Sequence, residues 1–419
     1  MDVDEILTEI EPKVEQHFEE EETFIPGESK IRLSRPTYGT AEVMESLESL
    51  LSTWVTMGDK VQQFESGWSE YTGSDHGVMV NSGSSANLLA LKALEGTAIE
   101  PGDEVIVPAV SWSTSVFPIL DVGATPVLVD VDSSTYTIDI DAAEEAITED
   151  TAAILPVHLL GNPCDMDALV ELCERHDLAL IEDCCEAHGA RYDGDHVGSF
   201  GDMGTFSFFF SHHISTIEGG MIVTDSDDYL EKLRMSRAHG WVREVDDNSE
   251  FVESNPEIDE RFLFASTGYN LRPTEIQGGF GIHQLDRIDG FLEKRKSNAE
   301  YLNEKLLKYS EIFSLLEEHP KGECSWFAYP LLLREDAPIS RDELQSHLKE
   351  HNIETRPILA GNMARQPVFD SIPHRVEGDL EHSEHIHENG LFVGNHHRMT
   401  EEKLEYIWET IDKLIEENI

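Results

Sequence analysis

The chain has 419 residues, 39% of them hydrophobic, which is enough for a large buried core and for one large plus one small domain. Its 84 acidic residues against 30 basic ones give a formal charge of -54, which excludes nucleic acid as a partner, because phosphate contacts need clustered Lys and Arg. Five cysteines without a CxxC pair exclude a disulfide framework or zinc ribbon, and no apolar run approaches membrane-spanning length, so no membrane partner is expected.

The acidic excess is spread along the chain, and periodic apolar runs argue against disorder. A solvated acidic surface of this kind suits high cytoplasmic salt, as in a halophile. The N-terminus has no apolar h-region, so a cytoplasmic protein without a signal peptide is expected. Residues 1–35 read as an acidic N-terminal arm, partly helical, with a break at Pro26-Gly27. Ala41–Trp54 and Val61–Tyr71 have the spacing of amphipathic helices. Strands and helices then alternate. Gly77–Val80 runs into the small-residue turn and helix NSGSSANLLALKAL. Val105–Val110, Pro126–Val131, Ala153–Val157 and Leu178–Asp183 are strands, with the helix Met166–Arg175 before the last of them. Phe206–Phe210 and Met221–Val223 complete the set. The pattern predicts an α/β fold with a mostly parallel sheet covered by helices, whose ligands sit beyond the carboxyl ends of the strands. After the helix Thr274–Leu285, the helix Leu292–Leu307, the strand Trp326–Leu333 and the helices Arg341–Glu350 and Glu401–Glu417 read as a smaller α/β domain. The division is therefore 36–285 and 286–419.

The stretch GTFSFFFSHHISTIEGGMIVT, Gly204 to Thr224, sets His212 and His213 at a strand end, facing a crevice; two surface histidines in a loop is the plain alternative. Gly83, Ser84 and Ser85 open a helix after a strand, where amides and the helix dipole favour an anion; ordinary N-capping by Ser84 or Ser85 fits equally. Asp183 ends a buried strand, where an unpaired carboxylate is costly. On the residues alone Trp112 reads as a core tryptophan, His158 as a core histidine and Glu186 as a solvated helix residue. Single arginines are most often surface ion pairs. His382, His385 and His387 form HxxHxH, but no Cys or acidic cluster has metal-ligand spacing, and no metal is expected.

In order and spacing these segments resemble the DegT/DnrJ/EryC1/StrS family of sugar aminotransferases over roughly residues 35–415. That resemblance implies the aspartate aminotransferase-like fold type I and a pyridoxal phosphate (PLP) or pyridoxamine phosphate (PMP) cofactor. It implies that Gly83, Ser84, Ser85 and Ser207 hold the cofactor phosphate, that Trp112 stacks on the ring and that Asp183 pairs with the pyridine nitrogen. By the same resemblance Glu186 sits by the ring hydroxyl and His158 lies on the floor. Asn270, in GYNLRPTEIQ, reaches the phosphate of the neighbouring subunit, so a homodimer with shared sites is expected. His239 and Arg243, in RAHGWVRE, and Glu354 and Arg356, in IETRPILAGN, stand where substrate or glutamate is met. IHENGLFVGNHH resembles the family's last substrate-proximal segment.

His212 stands where the family has its Schiff-base lysine, and no lysine occurs between Lys92 and Lys232. That replacement resembles the 3-dehydratase branch, which implies a noncovalent cofactor. The implied reaction removes the C3 hydroxyl of a nucleotide-linked (GDP favoured) 4-keto-6-deoxyhexose, with L-glutamate as amino donor, in deoxysugar and polysaccharide biosynthesis. His212 would be its base. A related branch with an iron–sulfur cluster needs cysteines after the Gly-Gly strand, and none lies between Thr224 and Glu323. The rival readings are a sugar aminotransferase working without the lysine and a non-catalytic scaffold.

Overall fold

Apolar runs of four or five residues, separated by helices, can bury both faces only inside a sheet covered on two sides. The computed structural model, which describes residues 2–19 and 23–419, forms such a sheet. Its eight strands lie in the order His76–Val80, Gly220–Thr224, Met203–Ser207, Ala179–Asp183, Thr151–Ile154, Glu104–Pro108, Thr125–Val129 and Arg375–Val376. Gly220–Thr224 is antiparallel to both neighbours, and the other pairings are parallel. Alternate residues feed separate clusters, Val105 and Val107 one and Ile106 another. On the other wing Phe64, Trp68, Phe206 and Phe208 interlock, with centroids 5.0 to 6.3 Å apart, each such pair contributing roughly 0.5–1.5 kcal/mol beyond its burial.

The register brings one edge of the sheet to a focus. Asp183 and Ser207 end adjacent parallel strands, and Gly220 lies opposite both Ser207 and Val80. The helix Gly83–Leu94 therefore starts at that edge. Glycine is required for the close approach there: a Cβ on Gly83 would lie 2.4 Å from Ser207 Cβ, and one on Gly220 would lie 2.3 Å from the Ser82 carbonyl.

Two local readings are corrected. The run Phe206–Phe210 is strand only to Ser207; Phe208 is buried, but Phe209 and Phe210 are 37% and 45% exposed where the chain turns toward His212. The helix at 83–94 is capped by Ser82, whose side chain accepts from the Ser85 N–H, and not by Ser84 or Ser85. Within the acidic arm Val3–Phe18 is a helix with a capping box at Asp2 and Glu5, and Phe18 meets Tyr38 edge-on; residues 1 and 20–22 of that arm lie outside the described residues. The helices Thr40–Ser52, Asp59–Thr72 and Glu275–Leu285 pack together, the last opened by a Thr274–Gln277 capping box.

Beyond them the helix Ile288–Leu306 leads to an antiparallel sheet of Phe313–Ser314, Ala328–Leu333, Gly390–Gly394 and Thr355–Pro357. The chain also returns to the large sheet. Arg375–Val376 pairs with Thr125–Val129, anchored by two 2.8 Å contacts from the Arg375 guanidinium to the Glu104 carboxylate. Among the described residues no helix is long and apolar enough to cross a membrane. With a formal charge of -54, self-repulsion opposes the folded state until salt screens it. Raising KCl from about 0.1 M to about 2 M should therefore raise the unfolding temperature, read by circular dichroism; an unchanged midpoint would contradict the argument.

Candidate active site

A cavity of about 670 Å³ opens at this sheet edge. Ser82, Gly83 and Ser84 line one end, at the start of the helix. The cap takes the Ser85 N–H at 3.2 Å, while the Ser85 hydroxyl donates to Asn81 Oδ1 at 2.6 Å. Ser85 thus faces its own turn and not the cavity, whereas Ser207 lines the cavity beside Gly83. A helix N-terminus with small residues and a facing hydroxyl suits a phosphate.

Asp183 is 4% exposed and borders the same cavity. Its Oδ2 accepts from Asn87 Nδ2 and Ser115 Oγ, both at 2.8 Å, and its Oδ1 from the Cys185 N–H at 3.0 Å. All three donors are neutral, and among the described residues no salt bridge reaches it. A carboxylate so enclosed attracts a cationic N–H from a ligand. Three residues on, Glu186 is not a solvated helix residue: it lies buried in the cavity wall and accepts from the Leu160 N–H at 3.0 Å. Burial, reinforced by the nearby Asp183, pushes its carboxyl up to about 8 against the Leu160 hydrogen bond. It therefore carries a proton near neutral pH and can donate one hydrogen bond. Leu160, which holds it, has φ +55°, a left-handed conformation tolerated where the surroundings enforce it. Trp112 is not core either. Its ring is 54% exposed at the cavity mouth, available to a flat ligand.

His212 stands across from these groups. Its N–H closes a turn onto the Phe209 carbonyl at 3.0 Å, and its ring packs against Phe327 at 5.2 Å and His188 at 5.7 Å. Burial, helped by Arg295, pushes the imidazole down to about 3, so it is a neutral base at physiological pH. Among the described residues no lysine lines the cavity.

The remaining candidates divide. Arg356 reaches the cavity wall from the strand Thr355–Pro357, beside Phe392. Glu354 does not; it pairs with Lys30 and accepts from the Leu33 N–H at 3.1 Å. His158 is no floor residue: it is fully buried behind the cavity, bonded to Glu182 at 3.1 Å and to the Cys164 N–H at 3.0 Å. Asn270, His239 and Arg243 lie away from this cavity. Asn270 is exposed and accepts from Arg272 at 3.1 Å; His239 meets Trp241 edge-on; Arg243 lies 3.8 Å over the Trp241 ring.

Among the described residues one group, His158, Glu182 and Cys184, is close enough to hold a metal. Glu182 is already taken up by the N–H groups of Gly198, Phe200 and Gly201 at 2.7 to 2.9 Å, which makes the group a structural network. His382, His385 and His387 each serve separate local hydrogen bonds. Sequence reading missed Asn87, Ser115 and Phe327. Asn87, a polar residue between Ala86 and Leu88 in the helix Gly83–Leu94, was the available signal; Ser115 and Phe327 carried none.

His188, His213 and His396 are held well below their ordinary range by burial, and His397 is pushed down to about 4, also by burial. With folded-state values below the unfolded value of about 6.5, these groups stabilise the fold above that pH and lose their contribution as pH falls below it. Glu186 has the opposite sign. Replacing one buried histidine isolates the effect: His188→Leu should gain stability relative to wild type, by up to roughly 1.4 kcal/mol per pH unit between about pH 6.5 and about pH 5. Urea unfolding at several pH values measures this, and a constant difference would refute it.

Comparison with known proteins agrees with the geometry. The sequence profile of the DegT/DnrJ/EryC1/StrS aminotransferase family matches residues 37–412. The chain is 42% identical to a GDP-4-keto-6-deoxy-D-mannose 3-dehydratase of Yersinia pseudotuberculosis over 387 residues, 91% of this chain and 98% of the relative. It is similar to a crystal structure of a mutant GDP-4-keto-6-deoxymannose-3-dehydratase with bound GDP-perosamine, with TM-score 0.86 and 39% identity over 91% of this chain and 100% of that one. A structure of that enzyme with a trapped PLP-glutamate geminal diamine gives TM-score 0.85 and 38% identity over 91% and 99%.

Proposed function

The chain belongs to the DegT/DnrJ/EryC1/StrS aminotransferase family, and from that premise we propose that it is a PLP/PMP-dependent nucleotide-sugar 3-dehydratase. Its substrate is a GDP-linked 4-keto-6-deoxyhexose, its amino donor is L-glutamate, and its product serves the making of cell-surface polysaccharide. The observation that carries the reading is His212 at the head of the cavity, with no lysine among the described residues of the lining. The fold is the aspartate aminotransferase-like one, and the cofactor is held without a covalent bond to the protein.

The residues present fit that cofactor. The Gly83 turn lies so close to Ser207 that a Cβ would fill the space between them, and the start of the helix suits the phosphate. The Asp183 carboxylate has three neutral donors and takes a protonated pyridine nitrogen as its cation. Glu186, protonated, would donate a hydrogen bond to the ring hydroxyl, and the exposed Trp112 would offer a stacking face. When bound, PMP supplies the amine that condenses with the 4-keto group and the ring that accepts an electron pair. His212, lining the same cavity, would serve as the group that takes up a proton beside the cofactor and hands it to the departing 3-hydroxyl, which would leave as water. A half-buried imidazole with a weak hold on its proton suits the second step. Arg356, exposed at the wall, receives the carboxylate of glutamate or the sugar.

The assay joins protein, PLP, L-glutamate and a GDP-4-keto-6-deoxyhexose in high salt. Ammonia and a 3-deoxy-4-keto sugar are expected; an amino sugar without ammonia would establish a transaminase instead. His212→Asn should lower turnover by about 10²- to 10⁴-fold. His212→Lys should retain PLP through borohydride reduction and denaturation, read by mass, while losing dehydration.

The same reading makes the enzyme a homodimer with shared sites. Trp54, Phe262 and Phe264 are 61%, 62% and 50% exposed, a surface that suits a second copy, and Asn270 points outward, away from its own cavity. Equal mixing of His212→Asn with Asn270→Ala, after dissociation and reassembly, should restore about a quarter of the wild-type sites. Unchanged low activity in mixed dimers would show each site to be built from one chain.

A further inference from the structure

Against the chain segment whose Phe327 ring packs on His212 lies a cation with no acid beside it. Arg295, on the helix Ile288–Leu306, is 2% exposed. Its guanidinium donates to the main-chain carbonyls of Phe327 at 2.7 Å, Trp326 at 3.4 Å and Asn395. Its Nε has no hydrogen-bond partner, and among the described residues it makes no salt bridge. In a chain with 84 carboxylic acids this is a costly arrangement, because a buried guanidinium is ordinarily paired. The ionisable groups set around it are imidazoles: His188, His212, His213, His396 and His397 all feel its charge. Two of the carbonyls it holds, those of Trp326 and Phe327, belong to the segment that packs on the turn carrying His212 and His213. The Phe327 ring lies on His212, and the Ser325 carbonyl meets His213 Nε2 at 3.0 Å. Trp326, between them, is held at φ +51°.

The groups facing His212 pull in opposite directions. Asp183, Cys185 and Glu186 line its cavity from the end of the central strand, Glu218 from its own connection, and Arg356 from the second sheet; with Glu186 protonated near neutral pH, Asp183 and Glu218 are the carboxylates among them. His188 packs on its ring, His213 follows it in the chain, and Arg295 lies against the segment that carries Phe327. Carboxylates near an imidazole draw a proton onto it, and a protonated imidazole cannot act as a base. A fixed cation against the Phe327 segment opposes that.

We propose that Arg295 is a positioning residue for the reaction: its hydrogen bonds to the 326, 327 and 395 carbonyls hold Phe327 against the imidazole, and its unpaired guanidinium sets a fixed positive charge against the segment that packs on His212. The inference rests on the reading of His212 as the base. It also accounts for the return step. A histidine beside a cation, once it has accepted the methylene proton, is a strong acid and readily gives that proton to the leaving hydroxyl.

The direct test is the titration of His212 by histidine-selective NMR in the full-length, cofactor-free protein, its resonance assigned by loss in His212→Asn. Wild type should show His212 neutral to about pH 5 or below. Arg295→Gln, which removes the charge, should move the midpoint up by about one unit or more, and Arg295→Lys, which keeps it, should leave the midpoint near wild type. Asn298→Asp, one helical turn away, supplies a carboxylate of the same shape and should move the midpoint up as well; it serves if Arg295→Gln does not fold. In the loaded enzyme the acid limb of the kcat/KM profile should move in the same direction. An unmoved His212 midpoint in folded Arg295→Gln, or in Asn298→Asp, overturns the inference, as does a wild-type midpoint near the ordinary value. The base reading fails separately, if His212→Asn still releases ammonia and the 3-deoxy sugar.

Discussion

A carboxylate shut away from water at the end of a central strand, with only neutral donors around it, is the constraint to which the site is built. Asp183 ties together what the chain keeps far apart. Asn87 comes from the helix that opens the phosphate end, Ser115 from the helix after the next strand, and Cys185 from the turn after the aspartate itself. Thr205, on the neighbouring strand, bonds Asn87 in turn. Removing any one donor leaves the carboxylate less satisfied, and supplying a cationic ring nitrogen completes it. Helix starts, sheet register and cofactor site are thereby one arrangement.

Around that anchor the chain separates two tasks that a single lysine performs in an aminotransferase. In the proposed function, holding the cofactor would fall to noncovalent contacts at the helix start and at Asp183. Proton movement would fall to an imidazole packed against Phe327 and His188. The difference between transferring an amino group and expelling a hydroxyl then lies in what cannot happen. Without a lysine among the described residues lining the cavity there is no covalent resting form to return to, and a base that releases its proton easily favours elimination.

Much of this was legible in the residues. Alternating apolar runs and helices gave the sheet, because a strand buried on both faces leaves a continuous hydrophobic signature. Asp183 and His212 were visible as polar residues at strand ends. Other features left little trace. The two-residue strand Arg375–Val376 is too short to carry a period, and its place depends on an ion pair with Glu104, 271 residues away. His158 follows an apolar strand, and that position alone does not reveal that its ring turns into the core toward Glu182 rather than outward to the cavity. Phe209 and Phe210 continue an apolar run yet leave the sheet, since propensity yields to the turn that presents His212. Asn270, His239 and Arg243 were found by likeness of motif, and within one chain nothing draws them to the cavity.

The returning edge strand has a consequence for biosynthesis. Strands adjacent in the large sheet come mostly from the first 224 residues, but the flank of Thr125–Val129 is covered only by residues 375 and 376. As the chain leaves the ribosome, that flank presents unpaired backbone groups until residues 375 and 376 have been made, about 250 residues after the strand they cover. Until then emerging chains on one messenger meet with an open seam, and the returning strand is what closes it.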